Sequence, residues 1–351
     1  YARMNGYEAT VLEMHKVPGG LCAAWKRKGY TFDISMHMLV GSRSGPFHAM
    51  WRELGAVQGR RFHYHTDRAR IESGATSLTF SPDPERVERQ MLAISPADEK
   101  LIRQFVKLVC GPRMMAAASL TPRELQSPLE SARSLVSIAP FVPSFVHLGN
   151  QTVQDFAARF RSPFLRRAVR SLVDSPGWPM VQFPAVALAG YMRSAVADAG
   201  VPIGGSQAVI RDIVQRFEDL GGELRCKTRV EDLIVENDRA AGVRLEGGEE
   251  LLADTVIWAA DGRSLIYDVL GGMYVNETVR AMYERWIPTR SLVHVSLGVA
   301  RDMSSEPPGL VFELDRPLTV AGERRRWLSV LHQCFDPTRA PEGKSVVEVW
   351  Y

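Results

Sequence analysis

Few residues in this chain have the types and spacing to do chemistry, and the ones that stand out lie near its start. His37 is ringed by Met36, Met38 and Leu39. An imidazole in apolar company can move protons, but the same setting suits a packed, hydrogen-bonded core histidine. Glu13 closes the run Ala9-Thr10-Val11-Leu12, and an apolar, β-branched run that stops on an acid reads as a buried parallel strand with a carboxylate at its carboxyl end. In a dinucleotide-binding βαβ unit a carboxylate there accepts hydrogen bonds from ribose hydroxyls; a solvated strand end is the plainer alternative. Gly19 and Gly20 follow, where bare backbone either lets a pyrophosphate approach closely or forms a tight turn. A second strand, Asp254 to Asp261, ends on Ala259-Ala260-Asp261. It reads as buried and parallel, with small residues that suit close passage of a cofactor.

The elements that must position these residues follow from pattern. Tyr1 to Tyr7 reads as the last turn of a helix closed by Gly6. Leu21 to Lys28 reads as a short helix, Gly29 to Asp33 as a strand, Met36 to Gly41 as a loop or strand, and Pro46 to Leu54 as a helix. Arg68 to Glu72 and Thr76 to Phe80 form a hairpin. From Pro84 to about Ala118 the apolar period is helical. Thr152-Val153-Gln154-Asp155 opens a helix with a capping start, Pro163 opens another, and Asp174 to Pro179 is a loop. Phe183 to Ala199 and Gln207 to Leu220 are helices. Arg229 to Glu236, Ala241 to Leu245 and Glu250 to Ala253 make a small antiparallel sheet, and the remainder is strand-rich. It supplies a sheet to the second domain.

Composition removes several function classes. The 351 residues carry a net charge of +3, too little to argue for nucleic acid. Cys22, Cys110, Cys226 and Cys334 lie far apart, so neither a zinc site nor a disulfide framework is indicated, and a reducing, cytoplasmic setting is expected. The histidines show no metal spacing, and no nucleophile motif of the Gly-x-Ser-x-Gly kind is visible. No apolar run reaches the length of a membrane-spanning helix.

At this point the residues resemble a family. Glu13 with Val17-Pro18-Gly19-Gly20-Leu21-Cys22, Lys28-Gly29-Tyr30-Thr31-Phe32-Asp33 and Met36-His37 is similar to bacterial phytoene desaturases, carotenoid isomerases and retinol saturases. These belong to the FAD-dependent group that also contains the amine oxidases. Pro202-Ile203-Gly204-Gly205-Ser206-Gln207-Ala208 and Ala259-Ala260-Asp261 match the same family at matching spacings. The resemblance runs from Tyr1 to about Gly272. It implies FAD as cofactor, held by Glu13, Gly19, Gly20, Leu21, Ala259, Ala260 and Asp261, with the Val230 backbone on the adenine edge; a core valine is the alternative there. It implies an α/β fold: a doubly wound, Rossmann-like FAD-binding domain (1–60 and 201–288) interrupted by a mixed α+β substrate-binding domain (61–200 and 289–351). It places 36–41 near the isoalloxazine, which makes His37 the catalytic candidate. The chemistry it implies is hydride exchange between flavin N5 and an allylic or conjugated carbon of a long apolar polyene such as a carotenoid, by desaturation, saturation or isomerisation. Relative to the family the chain lacks the N-terminal glycine turn and stops before a glycine-rich C-terminal segment, and so reads as a fragment. Two alternatives use the same fold: an amine oxidase, and a non-enzymatic prenyl-protein chaperone.

Arg159, Arg161, Arg166, Arg167 and Arg170 alternate with Phe156, Phe160, Phe164 and Leu165. With the apolar run Phe141 to Leu148, this is either a peripheral membrane contact through 137–173 or an amphipathic helix with a solvated basic face.

Overall fold

The computed structural model describes residues 1–33, 35–67, 69–109, 121–139, 142, 148, 151–175, 178–186, 188, 192, 198–285, 293–320 and 322–350. By internal packing the chain divides into two units, Tyr1–Ala23 with Ile210–Pro288, and Ala24–Val209 with Thr289–Tyr351. Residues 24–60 and 201–209, grouped with the nucleotide-binding part on sequence, pack in the second unit.

In the first unit a 3-10 turn, Arg3–Asn5, ends at Gly6 with φ 82°, the left-handed conformation that a helix-ending glycine supplies without strain. Strand β1 (Thr10–Glu13) pairs in parallel with β11 (Glu223–Cys226), Thr10 opposite Glu223 and Glu13 opposite Cys226. A three-stranded antiparallel sheet follows, β12 (Val230–Glu236), β13 (Arg239–Leu245) and β14 (Glu250–Leu252), as the alternation predicts.

The expected parallel strand over 254–261 is not formed. Ladder bonding stops where the Ala253 N–H donates to the Ala241 carbonyl, and no described strand pairs with the residues beyond. Ile257 is 83% exposed. An apolar run without a neighbouring strand has no partners for its backbone groups, and here it is open chain leading to a short helical turn at Ser264–Val269.

The second unit holds a six-stranded sheet in the order β15-β18-β17-β16-β6-β7. Its strands are β6 (Ala69–Ser73), β7 (Thr76–Phe80), β15 (His294–Val299), β16 (Gly309–Val320), β17 (Glu323–His332) and β18 (Ser345–Trp350). β6 runs parallel to β16 and its other neighbour is antiparallel. Helices α2 (Pro84–Ile94) and α3 (Glu99–Val109), with α5 (Val153–Ala158) and α6 (Pro163–Ser171), build the core beside it. Phe105 lies at its centre, 6.1 Å from Phe80, 6.3 Å from Phe156 and 6.4 Å from Phe160 between ring centroids. α1 (Gly45–Glu53) and α4 (Pro128–Ile138) complete the described helices of this unit, save α7 (Gly205–Asp219), whose first turn belongs here; α8 (Glu277–Arg285) lies in the first unit.

Two local expectations are corrected. Leu21 to Lys28 is not a helix: β2 (Ala24–Arg27) turns back on β3 (Tyr30–Asp33), Arg27 opposite Tyr30. The turn is Lys28-Gly29, with φ 51° and 82°, the pair of positive angles a two-residue hairpin needs to match strand twist. The expected loop over 174–179 instead contains two short strands, β8 (Asp174–Ser175) pairing antiparallel with β9 (Trp178–Pro179). A small sheet, β4 (Leu39–Val40), β10 (Ala199–Pro202) and β5 (Phe62–His63), places the residues around His37. The expected helix over 183–199 and the apolar run 141–147 lie largely outside the described residues.

Candidate functional site

In the first unit, the chemistry gathers at the carboxyl end of β1. The Glu13 carbonyl accepts the Thr228 N–H at 2.9 Å, and its carboxylate Oε1 accepts the His15 N–H at 2.7 Å. The His15 carbonyl takes the Lys227 N–H at 2.9 Å, so the strand end is tied to the segment that starts β12 at Val230. Gly19 has φ 115°, and a Cβ there would press on Ile210; Gly20 has φ 56° and nothing within 4 Å of where a Cβ would stand. The Cys22 N–H closes the turn on the Gly19 carbonyl at 2.9 Å. Leu21 is 77% exposed.

Ala259, Ala260 and Asp261 are exposed. Asp261 Oδ1 accepts the Ser264 N–H at 2.7 Å, and its carbonyl accepts the Leu265 N–H. The Ser264 N–H, then the Ser264 side chain, hold its carboxyl below the usual carboxylate range. Its immediate role is therefore to cap the turn that follows. That turn packs on β12, the strand that begins with Val230.

Of these residues, Glu13 and Gly20 have the chemistry that a dinucleotide needs. The Glu13 carboxylate retains acceptor capacity for ribose hydroxyls. The Gly20 backbone is bare on an open side, as close approach of a pyrophosphate requires.

In the second unit, residues far apart in sequence meet in a buried polar node. Asp33 Oδ2 accepts the Ser206 N–H at 2.7 Å and pairs with Arg339 at 3.0 Å, while Oδ1 accepts the Ser206 hydroxyl at 2.5 Å and the Ser35 N–H at 3.2 Å. Arg339 also pairs with Asp336 at 3.2 Å, and Asp336 accepts the Gly204 N–H at 2.9 Å. Asp33, Ser206, Asp336 and Arg339 are all buried. A Cβ on Gly205 would collide with the Asp33 carboxylate and the Arg339 guanidinium, at a residue whose φ is 73°. Thus the Gly204-Gly205-Ser206 block and the Tyr30-Thr31-Phe32-Asp33 block are two sides of one ion-pair clamp.

His37 lies beside this clamp, its ring 4.5 Å from Trp350. Burial first, then the neighbouring His294, lower its imidazole to about 4, with Asp33 opposing, so it is neutral near pH 7. Glu348, on β18 two residues before Trp350, is 1% exposed. Its Oε1 accepts from Gln333 Nε2 at 3.3 Å; its Oε2 makes no hydrogen bond and stands 3.8 Å from His294 Nε2. Burial, partly offset by Arg339, pushes its carboxyl up to about 7. The site thus offers a neutral imidazole, an indole and a half-protonated acid, with its fixed charges locked inside the clamp.

Sequence reasoning did not select Asp336, Arg339 or Glu348. For Glu348 a signal existed: an acid in Val346-Val347-Glu348-Val349, a strand buried on both faces. For Asp336 and Arg339 the partners are more than 130 residues away, and nothing local marks them.

Of the five arginines, four make side-chain bonds within the fold; Arg159 donates to Gln151 Oε1 at 3.3 Å and Gln104 Oε1 at 3.2 Å. Arg166 donates to the Phe160 carbonyl at 2.5 Å, and Arg167 and Arg170 pair with Asp174 at 3.5 and 3.4 Å.

The fold is α/β, with a parallel strand pair in the first unit and a six-stranded mixed sheet in the second. The chain belongs to the flavin containing amine oxidoreductase family, whose model matches residues 3–351. That membership implies FAD as the cofactor, and the fold class is α/β with a Rossmann-like FAD-binding part. The chain is 24% identical over 375 residues to the chloroplastic prolycopene isomerase of Daucus carota, covering 99% of this chain and 58% of the relative. It is 26% identical over 310 residues to the lycopene-forming phytoene desaturase of Pseudescherichia vulneris, covering 84% and 59%. The chain thus spans less than two thirds of the length of these relatives. Among solved structures it superposes on a Pyrococcus furiosus protein with a TM-score of 0.64 at 15% identity, covering 99% of this chain and 74% of that one.

Proposed function

We propose that this chain is part of an FAD-dependent oxidoreductase that desaturates, saturates or isomerises a long apolar polyene such as a carotenoid. The observation that carries the reading is the electrostatic character of the His37 site. Its histidine is neutral at pH 7, and Asp33, Asp336 and Arg339 are paired with one another, while Glu348, held at about 7, lies outside that clamp. Such a site suits a substrate without charge and a reaction that needs alignment and exclusion of water rather than a strong acid–base pair. Homologues named for phytoene desaturation and prolycopene isomerisation support the same reading.

In this reading the first unit serves the nucleotide. Glu13 binds ribose hydroxyls, Gly19 and Gly20 pass the pyrophosphate, and Leu21, Val230, Ala259, Ala260 and Asp261 line the remainder. When bound, the flavin supplies the hydride-accepting chemistry. His37 acts in its neutral form, packed on Trp350, to orient the reacting carbon. The second unit is the substrate-binding part. A polyene is drawn from lipid, and the reading includes a peripheral membrane contact through 137–173 of an otherwise cytoplasmic protein. The exposed Leu129, Leu135 and Val136 of the preceding helix α4 support that contact, and no described helix is long and apolar enough to cross a membrane.

The test is a flavin spectrum of the purified protein followed by anaerobic mixing with isoprenoid polyenes and, separately, with amines. Expected with a polyene and not with amines is bleaching of the oxidised flavin (desaturation) or, starting from pre-reduced flavin, return of the flavin bands (saturation) or a changed polyene isomer with the flavin unaltered (isomerisation). Bleaching by amines but not polyenes overturns the substrate class.

A further inference from the structure

Beyond that reading, a cleft in the second unit gathers basic side chains. Between the start of α3 and the end of α5 lies a cleft of about 270 Å³. Lys100, Gln104, Arg159 and Arg161 line it, over Asp98, Ala97 and Leu101. Arg159 is held in place by Gln104 Oε1 at 3.2 Å and Gln151 Oε1 at 3.3 Å, and lies over the Phe156 ring at 5.3 Å. That arrangement uses the acceptor oxygen of Gln104 and leaves its amide N–H groups as donors. Lys100 and Arg161 are exposed and make no side-chain ion pair among the described residues.

The one acid in the cleft keeps its negative charge, against which Lys100, Arg159 and Arg161 leave the lining positive on balance, and its oxygens are turned to protein donors. Asp98 is buried, its Oδ1 accepts the Arg161 N–H at 2.8 Å, and its Oδ2 accepts the Ser162 N–H at 3.0 Å and the Ser95 hydroxyl at 2.8 Å. Burial works against its ionisation, but these bonds and the Arg161 charge outweigh it and hold the carboxyl below the usual range. Asp98 therefore fixes the backbone that carries Arg161, and its acceptor capacity is spent on that task. Three cations and an amide facing one concavity match the oxygens of a phosphate group, with Arg159 pre-organised by its contacts.

We propose that Lys100, Gln104, Arg159 and Arg161 bind a phosphate group, either of a soluble phosphate compound or of a lipid headgroup. The basic side chains that matter are these and not the Arg166, Arg167 and Arg170 set, which does not line the cleft.

The test compares the protein with a Lys100→Ala/Arg161→Gln double variant and with Arg280→Ala as a control, all checked for unchanged thermal unfolding. Both changed side chains are exposed, so the fold is retained; Gln104→Ala serves as a second, uncharged probe of the same cleft. In one arm inorganic pyrophosphate is titrated calorimetrically; in the other, vesicles of phosphatidylcholine with or without phosphatidic acid are sedimented with the protein. Saturable pyrophosphate binding, weakened at least tenfold in the double variant and not in the control, supports the site and assigns a soluble ligand. Weak pyrophosphate binding with sedimentation on phosphatidic acid that the double variant loses supports the site and assigns a headgroup. Identical behaviour of the protein and the double variant in both arms overturns the proposal.

Discussion

Asp33 and Arg339 face each other at 3.0 Å with almost no contact with water, so removing one leaves the other charged and alone. Breaking a buried pair from one side costs about 3–5 kcal/mol, and Asp33→Ala is expected to lower stability by that order in urea unfolding. Ser206→Ala, which loses a neutral donor and keeps the ion pair, is expected to cost about 1–2 kcal/mol. Equal effects of the two would contradict the clamp. His37 and Glu348 give the site an unusual pH signature. His37 is held at about 4 against 6.5 unfolded, so the unfolded chain binds the extra proton and stability falls as pH drops from about 6.5 towards 4. Glu348 is held at about 7 against 4.5, so the folded chain keeps its proton and stability falls as pH rises from about 4.5 to 7. Between about 4.5 and 6.5 the two slopes oppose each other and nearly cancel. Glu348→Gln is expected to expose the His37 slope, with stability rising with pH by about 1 kcal/mol per unit over that window. A flat profile in the variant would show that His37 titrates normally.

Among the elements, those whose signals are local were legible. Thr152 and Asp155 form a reciprocal cap, Thr152 Oγ1 accepting the Asp155 N–H at 3.0 Å and Asp155 accepting the Thr152 N–H at 3.1 Å. Thr152→Ala is expected to cost about 1 kcal/mol in thermal unfolding. The hairpin around Ser73-Gly74-Ala75 and the helix opened by Pro163 follow from turn chemistry and period in the same way. Two failures have physical causes. Ala24–Arg27 has no helical or strand period of its own, and its state is decided by the positive φ of Lys28 and Gly29. The 254–261 run has a strand's composition, but a strand is defined by a neighbour, and composition carries no information on whether one is there. The Gly205 position was read as a family motif, and the packing supplies its reason. Gly205→Ala is expected to destabilise by more than about 2 kcal/mol, since the Cβ strikes the Asp33 and Arg339 groups at positive φ. Ala at Gly20, where no atom lies within 4 Å, is expected to cost less and to act on ligand binding instead.

At the scale of the whole chain, the sequence made the family visible because its motifs are short and contiguous. It did not reveal that Asp33, Gly204 to Ser206, Asp336 and Arg339 converge, since that rests on contacts across up to 306 residues of sequence (339 minus 33). Conversely, Glu13, Gly19, Gly20 and the Ala259 to Asp261 segment belong to the same unit, and the proposed function gives them a common nucleotide. The central claim is that this unit holds FAD through the Glu13 carboxylate and the Gly19-Gly20 backbone. It is tested most directly by titrating the protein into FAD and following flavin fluorescence, alongside Glu13→Ala and, as a control on the same unit, Glu284→Ala. The account predicts saturable binding that Glu13→Ala weakens at least tenfold and Glu284→Ala leaves unchanged. Binding of equal strength in all three proteins would contradict it.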